Sequence, residues 1–171
     1  LVRDTSPDDV FTPELLTEEH RLIEQTATEF MTNEVAPALP ALEQKDWALA
    51  RKLVARAGEL GLVGVDTPEE YGGVGLDKAA SIVVGEAVGA AASFATTFGG
   101  QTGLAIIPIL CFGTPEQRVK YLPRIVSGEW LGAYCLSESG SGSDALSARA
   151  KATKRPDGSW SLTGEKMWIT N

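Results

Sequence analysis

Two stretches of this 171-residue sequence carry residue types that could hold and orient a ligand. The first is Tyr134-Cys135-Leu136-Ser137-Glu138-Ser139-Gly140-Ser141-Gly142-Ser143-Asp144. It opens on large apolar side chains and then becomes a run with four serines and two glycines. Such a run cannot hold a core together. It offers closely spaced backbone N–H groups, small hydroxyls and room for a ligand to approach the main chain. The same composition also describes an ordinary flexible loop or linker. No phosphate-loop pattern is present, neither Gly-x-x-x-x-Gly-Lys-Ser/Thr nor Gly-x-Gly-x-x-Gly. The second stretch is Gly164-Glu165-Lys166-Met167-Trp168-Ile169-Thr170-Asn171. Read as a strand, it puts Trp168 and Thr170 on one face. An indole to pack on and a hydroxyl to bond a heteroatom suit a flat aromatic ligand with a polar edge. Taken singly, Trp168 reads as a core residue and Ser143 as a loop cap.

The elements that must position these stretches are mostly helical. Residues 1–12 are polar and aperiodic and read as an arm. Thr17 is a plausible N-cap for a helix over 18–35, with Leu22, Ile23, Ala27, Phe30, Met31 and Val35 as its apolar stripe and Pro37 and Pro40 as its stop. A second helix covers 46–60, followed by Gly61 as a C-terminal cap. A short extended piece, 62–65, leads into a turn-rich loop through Gly72-Gly73. A third helix begins after Asp77; it is apolar nearly all round, which makes it the expected central helix. Residues 93–112 form a fourth helix, bent or broken near Pro108. Thr114-Pro115-Glu116-Gln117 combines a capping box with proline at the first helical position, starting a short fifth helix. After Glu129 the period changes. Residues 130–136 read as strand, Pro156-Asp157-Gly158-Ser159 as a hairpin turn, 160–162 as the return strand and 166–170 as a further strand. Helices first and strands after give a mainly α, α+β chain: an N-terminal orthogonal helical bundle over 1–128, then the first antiparallel strands of a β domain over 129–171.

Composition narrows the function classes. The formal net charge of −8 opposes nucleic-acid binding, which needs a basic patch. Cys111 and Cys135 lie in apolar runs and read as buried free thiols, with no disulfide framework. The single histidine, His20, sits among Glu18, Glu19 and Arg21 and reads as a solvated helix residue; no partner stands at metal-ligand spacing, so no metal is expected. The most apolar run, 104–112, is too short to span a bilayer, so no transmembrane segment is expected. The sequence starts at Leu1 and stops within a strand pattern, so it reads as a piece of a longer protein.

Tyr134-x-x-Ser137-Glu138 with Gly142-Ser143-Asp144, followed by Lys166-Met167-Trp168-Ile169-Thr170-Asn171, resembles the acyl-CoA dehydrogenase family. Tyr71-Gly72-Gly73-Val74-Gly75 and Phe112-Gly113-Thr114-Pro115-Glu116-Gln117 are similar to that family's upstream blocks. The resemblance runs from about Glu18 to the last residue. It departs at Ser139, where proline is usual, and at Ser137, where threonine is commoner.

The resemblance implies FAD, held along Tyr134, Cys135, Leu136, Ser137, Glu138, Gly142 and Ser143 and along Trp168, Ile169 and Thr170. Thr170 would stand near the flavin nitrogen that receives hydride, and Ser143 would also touch the acyl-CoA thioester. It implies α,β-dehydrogenation of an acyl-CoA to the 2-enoyl-CoA, with electrons passed to an electron-transfer flavoprotein, in a cytoplasmic or mitochondrial-matrix homo-oligomer. No catalytic residue is expected within these 171 residues. The family's base is usually a glutamate of a C-terminal helical domain, and Glu138 and Glu165 do not match it, so the piece alone is expected to be inactive. An acyl-CoA oxidase or flavin monooxygenase of the same fold remains open, as does a non-catalytic helical interaction domain with a degenerate flavin site.

Overall fold

A computed structural model describes Ser6 and residues 10–171, so most of the expected N-terminal arm lies outside the described residues. Four helices start where a short polar side chain can serve the first free N–H groups. Helix α1, Glu18–Phe30, begins at Thr17, whose hydroxyl accepts from the His20 N–H at 3.3 Å while His20 Nδ1 accepts from the Thr17 N–H at 3.0 Å. That is a capping box with histidine in the place usual for Glu or Gln. Asp46 caps α3, Trp47–Glu59, and Asp77 caps α4, Lys78–Val88. Thr114 and Gln117 cap each other reciprocally at the start of α7, Pro115–Val126, as the sequence predicts.

His20 is not the solvated residue its charged neighbours suggest. It is buried, and its Nε2 lies 2.9 Å from Asp77 Oδ1, the same oxygen that accepts the Ala80 N–H. Because Nδ1 is already an acceptor, the neutral ring carries its proton on Nε2 and donates to Asp77. One imidazole thus joins the N-termini of α1 and α4, which pack against each other.

Two prolines that should stop a helix do not. A π turn, Met31–Val35, carries the chain from α1 into α2, Ala36–Glu43, with Pro37 in its first turn and Pro40 inside it. Likewise α5, Ala92–Gly99, runs through a π turn, Gly100–Ile106, into α6, Ile107–Phe112, which has Pro108 in its first turn. A proline ring collides with the carbonyl four residues back and leaves it without a donor. At Pro37 and Pro108 a wider turn just before the proline absorbs both faults, so the rods continue; Pro40, inside α2, has no such turn directly before it. The expected break near Pro108 is therefore a local widening upstream of it.

The core is formed by one face of each rod. Phe30 meets Phe94 edge-on at 5.7 Å between ring centres, and Val35, Val54, Leu62 and Leu122 are fully enclosed. Helix α4 is apolar on nearly all sides but buries only Ala80, Val83, Val84 and Val88; Ile82 and Glu86 face outward, so it is not the enclosed central helix the sequence predicts. Residues 62–65 are not an extended strand. They turn, bury Leu62, Val63 and Val65, and are closed by Val74 N–H to Gly64 O and Leu76 N–H to Val65 O, each 2.9 Å. The rod Ala92–Phe112 is long and apolar enough to cross a membrane by length and composition, whereas the apolar run 104–112 taken alone is too short to do so. Here Phe94, Phe98, Gln101, Ala105 and Ile106 are buried in the bundle. Both cysteines are exposed, contrary to expectation: Cys111 lies on the outer face of α6 and Cys135 on the segment that leaves the bundle.

That segment is fixed to the bundle by Gln101, which is fully buried. Its Nε2 donates to Ile125 O and to Trp130 O, each at 2.7 Å, and its Oε1 accepts from Gly132 N–H at 2.8 Å. Gly132 comes so close that a Cβ there would collide with Ala105 Cβ. Just before it, Gly128 turns the chain at φ +74 against Ala55. Residues 130–136 then run on without ladder partners and are not a strand. The observed strands are β1, Lys151–Lys154, and β2, Trp160–Thr163, paired antiparallel with Lys151 opposite Thr163 and Lys154 opposite Trp160. The hairpin turn is where the sequence puts it, with Gly158 at φ +85 and Asp157 accepting from Ser159 N–H at 2.9 Å.

Replacing Gln101 by leucine keeps its bulk but removes the partners of Trp130 O and Gly132 N–H, whereas Ile125 O still accepts from Gly128 N–H at 3.1 Å. Each such buried group costs about 1–3 kcal/mol when left unmet. Gln101→Leu should therefore lower unfolding free energy by about 2–3 kcal/mol, read by urea denaturation at an unchanged m-value. A loss under about 0.5 kcal/mol would mean that water replaces the amide.

Candidate functional site

Beyond Gly132 the main chain becomes a row of donors. Among the described residues, the backbone N–H groups of Ala133, Tyr134, Cys135, Leu136 and Ser137 donate to no protein acceptor. Tyr134 and Leu136 are exposed beside them. The row ends at a tight turn in which Glu138 N–H bonds Ser141 O at 2.9 Å and Ser141 N–H bonds Glu138 O at 3.1 Å. Ser141 is buried, and its hydroxyl donates to Asp144 O at 2.8 Å. Asp144 also accepts the Ser147 hydroxyl, so it holds the loop locally. Gly142 and Ser143 remain exposed.

The second stretch is bound directly to the first. Met167 N–H donates to Ser137 O at 3.0 Å. Lys166 Nζ donates to Leu136 O at 3.0 Å and to Glu138 Oε1 at 2.8 Å. The two candidate ligand stretches therefore lie side by side. They do not meet as strands, however. Residues 166–170 form no ladder, and Trp168 has φ +60, a left-handed conformation rare for a bulky residue. The two-residue alternation that put Trp168 and Thr170 on one face of a strand does not hold. What remains is an indole 85% exposed, with Ile169 and a half-buried Thr170 next to it. The N–H groups of Trp168, Ile169 and Thr170 also donate to no protein acceptor among the described residues. Asn171 closes the circuit, its Nδ2 donating to Thr97 O and Gly132 O, each at 3.1 Å.

The Glu138 carboxylate is taken up by donors of the protein itself. Oε1 accepts from Lys166 and from Ala150 N–H at 3.0 Å, and Oε2 accepts from Arg149 N–H at 2.6 Å. The Lys166 ammonium first, then the Arg149 and Ala150 N–H groups, pull its pKa from 4.5 down to about 2. Glu138 also lines a cleft of ≈ 490 Å³, together with Ser139, Gly140, Arg149, Lys151 and Glu165. Sequence reasoning missed Lys166, Asn171, and the Arg149 and Ala150 N–H groups. The one available signal was that Glu138 and Lys166, of opposite charge, each lie within a ligand stretch.

The profile described as "Acyl-CoA dehydrogenase, N-terminal domain" matches residues 17–129. The chain belongs to the acyl-CoA dehydrogenase family. It is 44% identical over 172 residues to a probable acyl-CoA dehydrogenase of Bacillus subtilis, covering all of this chain and 29% of that protein. It is 40% identical to the mitochondrial short-chain specific acyl-CoA dehydrogenase of Bos taurus, covering 91% of this chain and 38% of that one. An acyl-CoA dehydrogenase of Bacillus anthracis, solved in complex with FAD, superposes with a TM-score of 0.94 at 48% identity over 99% of this chain and 29% of its own. The chain thus spans well under half the length of these relatives. With the bacterial FAD complex so close in fold, the family is one that binds FAD.

The Glu138 carboxylate should titrate far below an ordinary glutamate. Its folded pKa is depressed, so its stabilising contribution is present above about pH 4.5 and is lost as pH falls toward 2. Carbon-13 NMR of the labelled side chain should show no carboxyl titration between about pH 6 and 4. A midpoint near 4.5 would mean that the three donors are not engaged in solution.

Proposed function

We propose that this chain is the helical domain, residues 1–128, and the first part of the β domain, residues 129–171, of an FAD-dependent acyl-CoA dehydrogenase that forms 2-enoyl-CoA. The observation that carries the reading is the direct lacing of the Ser137 stretch to the Trp168 stretch through Lys166 and Met167. It sets a row of uncommitted N–H donors beside an exposed indole and the Thr170 hydroxyl. A heterocycle with carbonyl and nitrogen edges needs those groups, and the isoalloxazine ring fits this donor set.

In that reading Tyr134, Cys135, Leu136 and Ser137 present main-chain donors to the polar edge of the ring, with the Ser137 hydroxyl as a further one. Trp168 packs on the ring, Ile169 flanks it, and the Thr170 hydroxyl stabilises negative charge at its edge. When bound, FAD supplies the acceptor for the hydride leaving the β carbon. Gly142 keeps the loop low for the approach of the ligand, and Ser143, exposed at its surface, bonds the acyl-CoA thioester. Glu138 does not serve as the base, since its carboxylate is already held by three donors. We assign the α-proton base to that part of the family's length which this chain does not match. Electron-transfer flavoprotein is the proposed acceptor, a homo-oligomer the proposed assembly, and the cytoplasm or, by analogy with relatives named as mitochondrial, the matrix the proposed location.

Two experiments test the reading. In the full-length protein, Thr170→Val should lower the flavin reduction potential or slow its reduction by acyl-CoA; a variant that binds and reduces FAD like the parent would remove Thr170 from the site. The 171-residue chain by itself should be colourless and give no enoyl-CoA from any acyl chain length. A positioned base alone contributes about 10²- to 10⁴-fold. FAD-dependent turnover by the isolated chain would place the base within it.

A further inference from the structure

We infer that Glu138 is a positioning residue: its carboxylate, held by Lys166 and by the Arg149 and Ala150 N–H groups, sets the two flavin-binding stretches at their working separation. This rests on the FAD reading for its functional consequence, but its geometry stands without it.

The carboxylate joins three pieces of chain that no sheet joins. It belongs to the 137–143 loop. Its Oε2 takes the Arg149 N–H and its Oε1 the Ala150 N–H, which lie just ahead of β1. Its Oε1 also takes Lys166, just ahead of Trp168. The Glu138 side chain is only 10% exposed, and Lys166 is itself largely covered at 27%. Lys166 reaches past Glu138 to Leu136 O, so one ammonium bonds the donor row at its main chain and at its flank. Among the described residues, the remaining direct bond between the two stretches is Met167 N–H to Ser137 O. A single neutral hydrogen bond does not fix the relation of two otherwise unpaired segments. Charge-assisted bonds are roughly twice as strong, and here three share one carboxylate.

The chemistry of the side chain matters as well as its size. A glutamine in its place would present an amide NH2 to an acceptor site that now faces N–H or ammonium donors. At least one of the three bonds would become a donor–donor contact. Aspartate would be too short to reach Lys166 and the 149–150 main chain together. Lys166→Arg would keep the ion pair, whereas Lys166→Met would leave the carboxylate with its two N–H donors alone.

The test uses the full-length protein with Glu138→Gln, Lys166→Met, Lys166→Arg and the double variant that combines Glu138→Gln with Lys166→Met. The first readout is amide hydrogen exchange at Met167, whose N–H Glu138 does not touch. Exchange there should quicken by at least about tenfold in Glu138→Gln and Lys166→Met, return toward the parent rate in Lys166→Arg, and be no faster in the double variant than in either single one. The Leu122 amide, in α7, should not change. The second readout is FAD affinity and the flavin absorption band. The dissociation constant should rise at least about tenfold in the same variants, with a changed band shape and with rescue by arginine. Parent-like Met167 exchange in Glu138→Gln would overturn the positioning role whether or not flavin binds. Faster exchange with unchanged FAD affinity would overturn the claim that the set separation serves the flavin. If the parent takes up no FAD, the functional reading fails, while the exchange rates still decide whether Glu138 holds the two stretches.

Discussion

A single enclosed amide determines where everything after the helices can go. Gln101 has no access to water, so its donor and acceptor must both be met from the protein. They are met by the end of α7, at Ile125, and by the departing chain, at Trp130 and Gly132. Three backbone groups from two directions thereby share one side chain. Arg124 stacks over the Trp130 ring at 4.6 Å and covers the junction from outside. An ordinary apolar residue at 101 could pack against the same neighbours, but it could not fix the direction in which the chain leaves them.

From that junction the links form a closed path. Gly132 leads to the donor row, the row to Glu138, Glu138 to Lys166, and Asn171 back to Gly132 and to Thr97 on α5. Magnitudes separate these links from the other ion pairs. Arg56 with Glu34 and Glu59, and Arg124 with Glu129, lie between well-exposed partners and are worth little. Glu138 and Lys166 are shielded and carry additional hydrogen bonds, which is the circumstance in which a pair acquires structural weight. The hairpin contributes little of its own: every residue of β1 is exposed, and two strands with no buried face are marginal in water. Its position depends on Arg149 and Ala150, through Glu138.

The helices are legible because their starts are written in local chemistry: Thr17, Asp46, Asp77 and Thr114 each accept a hydrogen bond at the positions their types suggest. Their continuations are less legible, since a proline read one residue at a time signals a stop and the compensating π turn has no residue signature of its own. His20 misleads because charged neighbours describe one face of a helix and the ring points to the other. Residues 130–136 and 166–170 read as strands on their apolar alternation. Those side chains are large and mostly uncovered rather than paired, so the pattern follows from what the segments present, not from a sheet. The resemblance of motifs leads to the right family where local periodicity gives the wrong conformation. Glu138 stands among the candidate residues, but its pairing with Lys166 spans 28 positions and leaves no periodic trace.

The π turns also bear on how this chain tolerates changes of length. An α-helix of fixed ends cannot lose a residue without turning every later side chain by about 100°. A turn closed by i→i+5 bonds already holds one residue beyond the α requirement, so a deletion within Gly100–Ile106 could be absorbed by a return to regular helix. Phe94 and Phe98 before it, and Ile109 after it, would keep their faces. Gln101 would not, because it lies inside the widened turn. The length of this rod is thus held constant less by the packing of the bundle than by the three backbone groups that one glutamine must reach.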